Sequence, residues 1–115
     1  MRYSIESQDN ITIFSLKNKN VNSEVSADLK AEMLILCQPD LRGMILDLSE
    51  VEIIDSSGLG AILLAYRQLN DNQIPMMLVG VQENVYKIME ISQISGLFDF
   101  FDNIKEALEC IETEY

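Results

Sequence analysis

Apolar and polar positions change their period several times along the chain. From Tyr3 to Gln8, and again from Ile11 to Leu16, they form two short runs of strand character. Asp9-Asn10 between the runs is a tight-turn pair, so the two strands should form an antiparallel hairpin. Val21-Asn22-Ser23 then supplies N-cap candidates. Val25, Leu29, Met33 and Leu36 follow at helical spacing, with acids in the first turns and Pro39 just past the end. Met44-Ile45-Leu46-Asp47-Leu48, after Gly43, has the pattern of a strand covered on both faces.

Val51 to Ile54 lead from that strand to Asp55-Ser56-Ser57-Gly58. A second helix begins there, marked by Leu59, Ile62, Leu63, Tyr66 and Leu69 and closed by Asn70-Asp71-Asn72. Met76 to Val79 form another buried strand, followed by Gly80. Val85, Ile88, Met89 and Ser92 trace a third helix that should end before Gly96. Leu97 to Phe101 could add an edge strand, and residues 103–112 carry Ile104, Ala107, Leu108 and Ile111 at helical spacing. The order β-β-α-β-α-β-α-(β)-α predicts an α/β domain. Its mixed sheet should have four or five strands, an antiparallel N-terminal hairpin, a parallel core and about four covering helices.

Length and composition narrow the function classes. A chain of 115 residues accommodates one domain, spanning residues 1–115, and 48% apolar residues suffice for a core. The formal charge of −11, from 19 acidic and 8 basic residues, argues against nucleic acid and against anionic membrane surfaces. A protein partner with a basic face would be attracted, although acidity alone also serves solubility. There is no histidine, which removes the commonest general base and the commonest metal ligand. Cys37 and Cys110 have no metal or redox spacing and read as two buried reduced thiols. No cofactor, no metal and no catalytic set is expected. The N-terminus shows no signal peptide and no apolar run spans a bilayer, so a cytoplasmic protein without membrane insertion is expected.

One segment stands apart from the core pattern. Asp55-Ser56-Ser57-Gly58-Leu59-Gly60 opens the second helix. Asp and Ser are good N-caps, which explains one of the three polar residues. Two glycines in the first turns are not explained by capping, since each costs about 1 kcal/mol relative to alanine. A neighbouring element, an anion or a partner side chain could require the close approach they permit. Phosphate of a nucleotide is poorly supported, because no Gly-rich loop with lysine is present and Asp55 would repel it. Gly60, Ala61, Leu64 and Gln68 form a second stripe roughly opposite the Leu59-Ile62-Leu63-Tyr66 side, a smooth surface suited to docking. Leu64 is open between docking and burial within the domain.

From Ile45 through Asp55-Ser56-Ser57-Gly58-Leu59-Gly60 to Leu63 the sequence resembles the signature of STAS domains, named for sulphate transporters and anti-sigma-factor antagonists. The similarity is to the stand-alone antagonist type. It extends to the hairpin, the element order and the segment Val85…Ile88-Met89-Glu90…Ser95-Gly96-Leu97-Phe98. The resemblance implies a partner switch in which the serine after the aspartate, here Ser56, is phosphorylated by an anti-sigma factor that is also a kinase. The unphosphorylated form would bind that factor, and a protein phosphatase would reset the phosphorylated form. Asn22, Asp55, Ser57, Gly58, Leu59, Gly60 and Leu64 are the expected partner-binding residues around Ser56.

The chain departs from the family pattern at Lys19-Asn20-Val21-Asn22, where a Gly-Glu-aliphatic-Asp turn is usual, and in a short insertion at Ser92-Gln93-Ile94. A constitutive scaffold or accessory subunit, on a transporter ATPase or in another signalling assembly, is the alternative. Dimerisation is left open by the sequence.

Overall fold

The computed structural model describes residues 1–114. The hairpin forms as expected: β1 (Tyr3–Gln8) pairs antiparallel with β2 (Ile11–Leu16). Asp9 and Asn10 take φ of 51° and 65°, the left-handed values that a two-residue turn needs to follow the strand twist. The remaining elements are β3 (Asn20–Val21), α1 (Ser23–Leu36), β4 (Gly43–Asp47), β5 (Ile53–Ile54) and α2 (Ser56–Asp71). They are followed by β6 (Met76–Val79), α3 (Glu83–Ile91), a single 3-10 turn at Ser95–Leu97, β7 (Asp99–Phe101) and α4 (Ile104–Glu114).

The main sheet has five strands in the order β1-β2-β4-β6-β7, and every pair except β1–β2 is parallel. The edge strand at residues 99–101 is therefore real. Side chains alternate across this sheet and divide the core in two. Phe14, Leu16, Met44, Leu46 and Leu78 pack with residues of α1, α2 and α3. Ile11, Ile13, Ile45, Met77 and Val79 pack with Ala107 and Ile111 of α4. Burial on both faces explains why the central strands read as unbroken apolar runs.

Two details depart from the sequence expectation. Cys37 is buried, and burial pushes its thiol up to about 11, but Cys110 is only half-buried. Both thiols are free. The second departure is a separate two-stranded parallel sheet of β3 and β5, which the sequence pattern did not predict. The segment Ser92-Gln93-Ile94 is the closing turn of α3. Gln93 has φ 63°, and the Ile94 N–H returns to the Met89 carbonyl at 3.0 Å.

Candidate functional site

The β3–β5 sheet has one structural consequence: it starts two helices side by side. Its register sets Val21 opposite Ile54, so the next residues, Asn22 and Asp55, cap α1 and α2. The ladder continues through Glu52 and Ile53 N–H donors to the Lys19 carbonyl, at 2.8 and 3.0 Å, and Asp55 N–H to the Val21 carbonyl at 3.2 Å. The caps share one backbone conformation, φ −95° and ψ −171° at Asn22, φ −99° and ψ −179° at Asp55. Asn22 Oδ1 accepts from the N–H groups of Glu24 and Val25 at 3.1 and 3.2 Å. Asp55 Oδ1 accepts from the Gly58 N–H at 3.0 Å. Each cap thus satisfies helix donors that would otherwise lack partners.

The two starts are also joined through side chains. Ser57 Oγ donates to Asp55 Oδ1 at 2.5 Å and lies 2.9 Å from Ser26 Oγ of α1. Ser26 Oγ in turn reaches the Asn22 carbonyl at 2.6 Å. The Ser57 hydroxyl, and then the Gly58 N–H, hold the exposed Asp55 carboxyl below the usual carboxylate range. The sequence pattern alone does not single out Ser26. Its partner lies 31 residues away, and no local pattern reports such a contact.

Ser56 differs from its neighbour. It is exposed, and its hydroxyl makes no hydrogen bond to any described residue, whereas Ser57 is half-buried, donates to Asp55 and lies against Ser26.

The two glycines differ in the same way. A Cβ on Gly58 would stand 2.6 Å from Ile54 Cγ1 and 2.9 Å from Val21 Cγ1, so the β3–β5 pair requires a bare backbone there. A Cβ on Gly60 would meet nothing within 4 Å.

These positions divide the expected partner-binding residues between interior and surface. Gly58 and Leu59 are buried, so neither presents a side-chain surface to a partner. Ala61 is fully buried, and with Leu64 and Gln68 it lies on the side of α2 that carries Ser57 and meets α1. Of the stripe Gly60-Ala61-Leu64-Gln68 only Gly60 is exposed, and Leu64 is half-buried at the seam between helices. The outward stripe is Ser56, Gly60, Leu63 and Arg67, with Leu63 half-buried and the other three exposed. Helical spacing alone places Leu63 in the core, where the structure leaves it half-buried. Ile53, 60% exposed two residues before the Asp55 cap, adds apolar surface that the sequence had not marked. Asn22 and Asp55 are exposed, with their side-chain oxygens turned to their own helices.

Comparison with known proteins matches the chain to one family. The STAS domain model matches residues 2–107. BtrV of Bordetella bronchiseptica, described as an anti-sigma factor antagonist, is 27% identical over 98% of this chain and 97% of its own length. The fold superposes on SpoIIAA in its unphosphorylated form with a TM-score of 0.84, at 16% identity over 99% of each chain. It superposes on the phosphorylated form of SpoIIAA, described as a Bacillus cell fate determinant, with a TM-score of 0.76 at 16% identity. That match covers 96% of this chain and 99% of the other.

Proposed function

Because the chain belongs to the STAS domain family, we propose that it is an anti-sigma factor antagonist that exchanges partners according to the phosphorylation of Ser56. The observation that carries this reading is the contrast between the adjacent serines. The Ser56 hydroxyl is exposed and unbonded among the described residues, and the Ser57 hydroxyl is held between Asp55 and Ser26. A nucleophilic hydroxyl must reach the donor phosphate of a kinase, and of the two adjacent serines only Ser56 can do so without breaking a hydrogen bond. The partners are a cytoplasmic anti-sigma factor with serine kinase activity, which binds the bare form, and a protein phosphatase that restores it. The protein itself acts by binding and performs no catalysis.

The physical chemistry of the switch is local. Phosphorylation adds roughly −1.5 to −2 charge. Ser56 is the first residue of α2, where partial positive charge favours an anion, so the fold tolerates the modification. On the outward stripe, the same charge lies next to Gly60, Leu63 and the carboxylate of Asp55. A partner that covers this stripe in the bare form would have to bury the new charge, and it is released. The relative SpoIIAA is known in phosphorylated and unphosphorylated forms, and both share the fold of this chain.

The test is phosphosite mapping by mass spectrometry on protein from its native cells across growth and stress conditions. Phosphate on Ser56 that varies with condition is the expected result. With the partner in hand, Ser56→Asp should lose binding that Ser56→Ala retains, and equal binding by the two variants would sink the switch.

The turn Lys19-Asn20-Val21-Asn22 favours a second reading, since it carries no acid and its Asn22 side chain is engaged in capping α1. In that reading the domain is a constitutive scaffold or accessory subunit of a transporter ATPase or another signalling assembly. Stable co-purification with such an assembly, together with a Ser56 that stays bare in every condition, would select it.

A further inference from the structure

The hydroxyls of Ser26 and Ser57 hold two protons between them and stand in three contacts: Ser26 with the Asn22 carbonyl at 2.6 Å, Ser26 with Ser57 at 2.9 Å, and Ser57 with Asp55 at 2.5 Å. Every arrangement therefore leaves one contact without a proton. An ionised carboxylate is the strongest acceptor of the set, so Ser57 donates to Asp55. The Ser26 proton has two destinations, the Asn22 carbonyl and the Ser57 oxygen. The Asn22 carbonyl also accepts the Ser26 N–H at 2.9 Å, so it keeps a partner in either arrangement. Ser26 is 1% exposed, which keeps water from supplying the missing proton.

We propose that the Ser26 hydroxyl is a two-position switch that carries the charge state of the α2 start to the α1 start. It rests on Ser56 as the modified residue. A phosphate on Ser56 deepens the negative potential around Asp55 and draws the Ser57 proton more firmly toward the carboxylate. A hydroxyl polarised in this way is a better acceptor at its oxygen. The Ser26 proton then turns from the Asn22 carbonyl to Ser57. Asn22 lines a groove of about 610 Å³ at the start of α1, together with Asn18, Asn20, Glu24 and Asp28. The change thus reaches a residue of that groove, with no rearrangement of the fold. Ser26 is a positioning residue in this scheme, and the bistable element is one hydroxyl rotor.

The experiment compares amide NMR spectra of the bare protein and of protein carrying phosphoserine installed at position 56 by genetic encoding. Phosphorylation should shift the Ser26 amide, which donates to the Asn22 carbonyl, and the Glu24 and Val25 amides, which donate to its side chain. In Ser26→Ala protein the same modification should still shift Gly58, beside the phosphate, while Glu24 and Val25 lose most of their response. Ser57→Ala breaks the link from the α2 side and should give the same loss, should the first variant fold poorly. Undiminished shifts at Glu24 and Val25 in these variants, or no shift there in the parent, overturn the proposal. The phosphate is installed without a kinase, so this failure is distinguishable from a Ser56 that stays bare in cells.

Discussion

The first turns of α2 have an inward and an outward side, and each side holds one member of two residue pairs. Ser57 and Gly58 face the neighbouring helix start and the β3–β5 sheet. There the serine donates to Asp55 and lies against Ser26, and the glycine leaves room for Val21 and Ile54. Ser56 and Gly60 face away, where the serine is unbonded among the described residues and the glycine has open space around it. Residue type alone does not separate the members of either pair. Their neighbours do, and the difference divides the motif into a part that the fold requires and a part that it does not. The outward members are the ones to which the proposed partner gives a role.

Substituting the inward glycine should have the largest effect on stability. Gly58→Ala forces a methyl group against two fully packed side chains, an overpacking cost of about 1–3 kcal/mol offset by about 1 kcal/mol of gained helix propensity. Net destabilisation is expected, read as a lower midpoint in urea denaturation. It should be accompanied by faster amide exchange in β3 and β5, because the displaced residues are the pair that holds the two caps in register. A variant as stable as the parent would mean that the inward side is looser than the contacts imply.

The outward glycine should respond with the opposite sign. Gly60→Ala adds a methyl group that meets nothing and removes a flexible residue from a helix interior, for a gain of about 1 kcal/mol. Its cost should appear only in binding, as weaker affinity for the anti-sigma factor where the partner approaches the bare backbone. A gain in stability with unchanged affinity would remove Gly60 from the docking stripe and leave the position unexplained. If both glycine variants were destabilised alike, the division between the two sides of the helix would fail.

Much of this arrangement is legible in the sequence, because it follows local rules. Asp9-Asn10 specifies the hairpin turn, the spacing of Val25, Leu29 and Met33 specifies the buried side of α1, and Asp55 reads as a cap three residues before the N–H it accepts. What escapes the sequence is set by contacts distant in the chain. A two-residue strand has no period to detect, so β3 and β5 are invisible until their pairing brings residues 20–21 beside 53–54. Helical spacing misplaces the facing of α2 because this helix packs on two neighbours, the sheet and α1, and its buried arc is wider than one stripe. Ala61 and Ala65, both fully buried, mark that close approach and were the available signal. With the arc widened on the Ala61 side, the exposed surface falls on Gly60 and Leu63.

The smallest expected effect tests whether the inward serine has the role assigned to it. Asp55 is held below its ordinary value in the native state by Ser57 first and Gly58 second, and no such partners exist in the unfolded chain. Its contribution to stability is therefore present above the unfolded carboxylate pKa, about 3.9, and is lost as pH falls through the lower native value. Ser57→Ala removes the larger of the two causes, so the Asp55 carboxyl should titrate closer to its ordinary value in carbon NMR. The stability difference between parent and variant should be largest near neutral pH and should narrow in acid, once Asp55 is protonated in both proteins. The part that persists in acid reports the contacts of the Ser57 hydroxyl that remain when Asp55 is neutral. Ser56→Ala is the matched control, since it alters a hydroxyl that bonds to nothing described, and it should leave the Asp55 titration close to that of the parent. If the two alanine variants moved the titration equally, Ser56 would share the bonded environment of Ser57, and the argument that separates acceptor from support would no longer hold.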